Sequence, residues 1–183
     1  MIFEVTEEHI AKLKDGDLRA LIGKLCEQDL RAQGHSPAAV TWGGHQNAAD
    51  GGIDVRVDLP GSSEVTGFVP RPASGFQVKA QDMPRQEIWD EMRPGGTLRP
   101  SIADLAEKAG AYIIVSSQGS VAYAPLAERK KAMRDAIGEK LAGSLTLGIL
   151  RPATRRDVGQ SSQGVYSLGP GESRTAIVRM ESF

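Results

Sequence analysis

Three residues on two short alternating segments have types and spacing that could do hydrolytic chemistry. In IDVRVDL (53–59), Ile53, Val55, Val57 and Leu59 alternate with Asp54, Arg56 and Asp58, the pattern of a half-buried strand. In FQVKA (76–80), Phe76, Val78 and Ala80 alternate with Gln77 and Lys79, which therefore share a face. If the two segments pair as a hairpin, Asp54, Gln77 and Lys79 converge. Such a set suits phosphodiester cleavage, which needs a hard cation held by oxygen ligands. The cation polarises the phosphate and lowers the pKa of an attacking water. Asp54 supplies a carboxylate, Gln77 an amide oxygen and Val78 its backbone carbonyl. Lys79 orients or deprotonates the water, or balances charge in the transition state.

Several other chemistries are disfavoured. His9, His35 and His45 show no metal-ligand spacing and no cysteine partners, which argues against zinc. Gly43-Gly44 and Gly51-Gly52 read as turns, since no GK[ST] follows them. The single cysteine, Cys26, rules out an intrachain disulfide and reads as a small core residue in a reducing compartment. A net charge of -1 gives no global basic field, so any nucleic-acid contact must come from a local patch. No apolar run approaches the roughly 20 residues that span a bilayer. The opening MIFEVTEEHI lacks a signal-peptide pattern, so a cytoplasmic location is expected.

The elements that must position these residues follow from periodicity. The 183 residues, 40% hydrophobic and 25% charged, suit one domain with a real core. A first helix is expected over 17–33, with Asp17 as N-cap, Gly34 as stop and Leu18, Leu21, Ile22 and Leu25 as its apolar stripe. AVTW (39–42) reads as a short strand, and 60–75 as a connection of uncertain length. A short helix fits 85–92. SIADLAEKAG reads as a helix with Ser101 as N-cap, Asp104 at the capping-box position and Gly110 as stop. The unbroken apolar run AYIIVSS suggests a strand covered on both faces. Pro125 opens a last helix, 125–141, with Leu126, Met133 and Ile137 as its stripe and Arg129, Lys130, Lys131 and Arg134 as a basic face. A domain over 1–147 is expected, followed by a poorly patterned tail, 148–183, in which only TAIVRM resembles a strand. The sum is an α/β fold, a mixed sheet flanked by helices.

DGGIDVRV followed by FQVK resembles the Mrr-like, QxK branch of the PD-(D/E)xK, or restriction-endonuclease-like, superfamily. The likeness covers roughly residues 17–145, and it implies an α-β-β-β-α-β-α order. It places Asp54 at the first acid of the motif, Gln77 at the second and Lys79 at the motif lysine. It further implies a Mg²⁺- or Mn²⁺-dependent endonuclease acting on DNA in restriction or anti-phage defence. An ATPase or sensor module often accompanies such a domain. A glutamate of the first helix often completes the site, which makes Glu27 the candidate, with Glu91 and Asp50 as the other acids within reach. The run Arg129–Lys131 with Arg134 would then contact the phosphate backbone. Gln77 in place of an acid removes one negative charge, which leaves a second reading: a nuclease-fold module that binds nucleic acid or a partner without cutting. RNA stays open as a substrate, since nothing in the sequence reads a 2′-hydroxyl. The tail departs from the family pattern and suggests a truncated or altered C-terminus.

Overall fold

Alternation fixes which face each strand buries, and the faces define two cores. The computed structural model describes residues 7–43, 51–118, 123–152, 165–166 and 178–182. Its helices are α1 (Glu7–Ala11), α2 (Asp15–Ala32), α3 (Arg85–Met92), α4 (Pro100–Glu107) and α5 (Tyr123–Ile137). Its strands are β1 (Val40–Trp42), β2 (Val55–Asp58), β3 (Ala73–Lys79), β4 (Ala111–Ser116), β5 (Thr146–Pro152), β6 (Val165–Tyr166) and β7 (Val178–Ser182). They form one mixed sheet in the order β1-β2-β3-β4-β5-β7-β6. β1, β2 and β3 pair antiparallel, while β3, β4 and β5 pair parallel. β7 lies antiparallel between β5 and β6.

Helix α2 covers one face. Its Leu18, Ile22, Leu25, Cys26 and Leu30 pack with Val55, Val57, Phe76, Val78, Ile113 and Val115. Helices α3, α4 and α5 cover the other, where Ile88, Ile102, Leu105 and Met133 meet Tyr112, Ile114, Leu147 and Ile149. β4 alternates between the two cores, which is why its sequence is apolar throughout. No helix among the described residues is long and apolar enough to cross a membrane.

Several local expectations are corrected. α2 starts at Asp15 with Lys14 in the capping position and no side-chain cap, so Asp17 is not the N-cap. Asp15 and Asp17 lie in the first turn instead, where the helix dipole favours acids. In α4, Pro100 takes the first helical position, for which its fixed φ suits it, and moves the start upstream of Ser101. The Ser101 hydroxyl donates to the Gly51 carbonyl, and Asp104 pairs with Arg56 and Lys108. α5 ends at Ile137, short of 141, where Gly138 adopts a φ of 72°.

Ile53 does not share a face with Val55 and Val57. The chain bends at Asp54 before β2 begins, and Ile53 joins the opposite core. Nor does pattern end at 147. β5 runs across that boundary, pairing Leu147 with Tyr112 and Leu150 with Val115. It is covered on both faces, and Gly148, which interrupts its apolar run, sits close to Ile113. Of TAIVRM, residues 178–180 lie in β7 and 175–177 lie outside the described residues.

Gly110 stops α4 in an unexpected way. Ala109, not the glycine, takes the positive φ of 49°. Gly110 N–H donates to Leu105 O at 2.8 Å and Ala109 N–H to Ala106 O at 3.1 Å, the paired bonds of a Schellman motif. A Cβ on Gly110 would lie 2.4 Å from the Ala73 carbonyl oxygen, at the first residue of β3. Gly110→Ala is therefore expected to destabilise the domain by about 1–3 kcal/mol, an overpacking cost. Urea denaturation measures it, and an unchanged midpoint would contradict the contact.

Candidate functional site

The site lies where the β2–β3 ladder stops. Val55 pairs with Phe76, so Asp54, one residue earlier, stands opposite Gln77. Asp54 N–H donates to Phe76 O at 2.8 Å, and its carboxylate then takes over the pairing. Asp54 Oδ2 accepts the Val78 N–H at 2.8 Å, standing in for a strand carbonyl. The Val78 carbonyl leaves β3 on the same edge as that N–H. Asp54 Oδ1 meets Arg19 Nη2 of α2 at 2.6 Å.

Gln77 and Lys79 project toward the α3–α5 side, in register with Ile114 and Ser116 of β4. Gln77 is 4% exposed, and its Oε1 has no hydrogen-bond partner among the described residues. Lys79 Nζ pairs with Glu91 Oε2 at 3.0 Å. The other oxygen of Glu91 accepts Arg99 Nη2 at 2.8 Å, while Arg99 Nε donates to the Glu91 carbonyl at 2.5 Å. Tyr112, across from Gly75 on the same face, is fully buried, and its hydroxyl also lacks a partner among the described residues. Burial pushes the Tyr112 phenol well above its usual range. Glu91 and Asp54 add to the rise, and Arg99 opposes it.

The site thus joins two carboxylates, Asp54 and Glu91, with three cations, Arg19, Lys79 and Arg99. Asp54 reaches β3 through the Val78 amide, between Gln77 and Lys79 in sequence, while those two side chains lie on the α3–α5 side. Asp54, Gln77 Oε1 and the Val78 carbonyl are the oxygens that could hold a cation. All are hard oxygens, and the orphaned Gln77 acceptor fits a divalent ion with a preference for such ligands. Only one carboxylate belongs to this set. Among the described residues no group of three His, Cys, Asp or Glu is placed to hold a metal.

The helix acid is corrected. Glu27 Oε1 accepts the Trp42 indole N–H at 2.8 Å, and Oε2 lies 3.7 Å from Arg31. Trp42 in turn lies over Gly23, so Glu27 fastens β1 to α2. Arg19, which does reach Asp54, precedes Glu27 by eight residues, about 12 Å along a helix axis. Glu91, at the end of α3, is the acid beside Lys79. It follows Ile88 by one helical turn and precedes Met92, both fully buried, so it borders an apolar stripe. Arg19 adjoins buried Leu18 in the same way. Glu91 is among the acids the sequence offered; for Arg19, a charged residue at the edge of a stripe is the signal that would have found it. Asp50 and His45 lie outside the described residues.

The basic face of α5 is also corrected in part. Arg129 is buried, with Nε donating to the Met83 carbonyl at 3.0 Å and Nη2 on Asp82 at 2.5 Å. It falls between Leu126 and Met133 on the apolar stripe, so it ties α5 to the segment after β3 and does not face solvent. Lys130 is half-buried, and Lys131 and Arg134 are exposed. Cys26 is buried, and burial followed by Asp29 raises its thiol pKa, as suits an inert core residue. His35 bonds to the Glu64 carbonyl at 2.8 Å.

Comparisons with protein-family models, with curated proteins and with solved structures find no match for this chain.

Glu91→Gln would leave Lys79 and Arg99 sharing a neutral partner. A loss of about 1–3 kcal/mol in unfolding free energy is expected, since both bonds are charge-assisted and partly shielded. Glu27→Gln keeps an acceptor for Trp42 and should change stability by less than about 0.5 kcal/mol. Equal losses in the two variants, measured by chemical denaturation, would contradict this division of roles.

Proposed function

We propose that this chain is a metal-dependent endonuclease of the PD-(D/E)xK type, Mrr-like and of the QxK branch, that hydrolyses DNA phosphodiester bonds in the cytoplasm. Its role would be restriction or anti-phage defence, with an ATPase or sensor module as partner. One observation carries the reading. Asp54 closes the open end of the β2–β3 ladder on the Val78 amide, and the flanking Gln77 carries an orphaned buried acceptor. The order helix, three strands, helix, strand, helix from α2 to α5 supports it, with α3 and α4 together in the place of the second helix. So does the mixed sheet with helices on both faces, the architecture expected for a restriction-endonuclease-like fold.

Asp54, Gln77 and the Val78 carbonyl would hold Mg²⁺ or Mn²⁺. The ion would polarise the phosphate and lower the pKa of the attacking water. The chain's own residues do the rest. Val78 N–H fixes Asp54 Oδ2, so the carboxylate cannot rotate freely. Glu91 fixes the head of Lys79, so its positive charge is pre-placed to orient water and balance charge on the phosphate. Arg99 holds Glu91 from the far side and completes the support of Lys79. Exposed Lys131 and Arg134 remain as contacts for the phosphate backbone.

A second reading rests on the neutral Gln77 and the single carboxylate in the donor set. It is a nuclease-fold module that binds nucleic acid or protein without cutting.

The two are separated by incubating plasmid and single-stranded DNA with Mg²⁺ or EDTA. Cleavage with Mg²⁺ and none with EDTA is expected. Lys79→Ala should lower the rate at least about 100-fold while still melting as a folded domain, since Arg99 still holds Glu91. Asp54→Ala should abolish cleavage. Undiminished Mg²⁺-dependent cleavage by Lys79→Ala would overturn the assignment. Binding without cleavage by the unaltered chain would favour the second reading.

A further inference from the structure

Arg19 is the one cation of the site that touches the motif acid itself. Arginine and a carboxylate commonly pair through two parallel N–H···O bonds. Here Nη2 lies 2.6 Å from Asp54 Oδ1. Val78 N–H has already taken Oδ2. Arg19 Nε is left buried with no partner among the described residues. Both side chains are largely shielded, at 17% and 16% exposure. The guanidinium thus pairs with Asp54 while its Nε strands a buried donor, which carries a desolvation cost.

Its seat has a second property. Oδ1 is the Asp54 oxygen that Val78 does not hold, so it is the oxygen left for a cation. With Gln77 neutral, Asp54 is the only formal negative charge among the three oxygen donors. A divalent ion and a guanidinium cannot both sit on one shielded carboxylate without strong repulsion.

We propose that Arg19 is a built-in competitor for the metal: it occupies the Asp54 oxygen that a divalent cation needs, and its displacement sets the affinity of the site. This rests on the metal-dependent reading above and names the residue of this chain that regulates it. Arg19 neutralises Asp54 while no ion is bound and withdraws when one binds. Metal binding and Arg19–Asp54 pairing therefore exclude each other, and removing the guanidinium strengthens binding.

The test is a Mn²⁺ titration of the full chain followed by electron paramagnetic resonance, with no nucleic acid present. Arg19→Met should tighten the apparent Kd about tenfold or more. Arg19→Lys, which keeps the charge, should stay close to the unaltered chain. Asp54→Asn should weaken binding in either background. Circular dichroism melts verify that each variant is folded, and Arg19→Gln replaces Arg19→Met if the methionine variant is not. Equal affinities for the unaltered chain and the uncharged variant, with loss in Asp54→Asn, would overturn the competition and leave the metal reading standing. Binding that ignores Asp54→Asn, or no binding by any variant, would remove the metal reading and the competition with it.

Discussion

Where β2 leaves the sheet, the Val78 amide would face the interior with no strand carbonyl to accept it. A buried N–H left unpaired costs about 1–3 kcal/mol. Asp54 Oδ2 removes that cost. The same bond bends the chain, because the carboxylate can reach the amide only if the residue before β2 turns out of the ladder. Ile53 consequently crosses to the far side and fills the gap over Gly75, where a side chain would collide with it and with Leu105. An apolar anchor on one side and a carboxylate on the edge are two results of one bond. Gln77 and Lys79, on the neighbouring strand, then have a fixed charge beside them.

The charges around that point are arranged as a chain and not as a cluster. Arg19 meets Asp54, Lys79 meets Glu91, and Glu91 meets Arg99. Each carboxylate is held from two sides, by N–H donors or by cations. On the α3–α5 side of the sheet lie the Gln77 amide oxygen and the Tyr112 hydroxyl, both shielded from water and both without a protein partner among the described residues. Native interiors tolerate few such atoms, and those that persist commonly mark function or bound solvent. Their presence beside five charged groups is what separates this region from an ordinary salt-bridge network, of which the Arg56–Asp104–Lys108 set is the local example.

Much of the fold was legible because period and burial agree. The alternation from Val55 to Asp58 and from Phe76 to Lys79, the two-faced run AYIIVSS and the stripe Leu18–Ile22–Leu25 each correspond to an element, with burial as the pattern implies. The short helix at 85–92 has the bounds its sequence suggests. What escaped was tertiary. β5 was hidden because Gly148 and Arg151 interrupt its apolar run, yet the sheet supplies the pairing that its pattern does not advertise. Among site residues, the strand pair was readable because period two dictates a shared face. Of the helical partners, Glu91 stood only as an alternative and Arg19 was missed, because a family habit pointed to Glu27 while Trp42 had already claimed it. Arg129 misled for a related reason. A run of basic residues looks like a surface, but helical spacing turns one of them inward.

The sheet begins at β1, which is only three residues long. Its Trp42 lies over Gly23 of α2, with the indole N–H on Glu27. An unpaired strand is a template on which another chain can add, and short length with a covering side chain blunts that hazard. The residue that looked like a catalytic acid therefore guards the rim of the sheet. Its service is mechanical: it clips a narrow first strand to the helix that covers it.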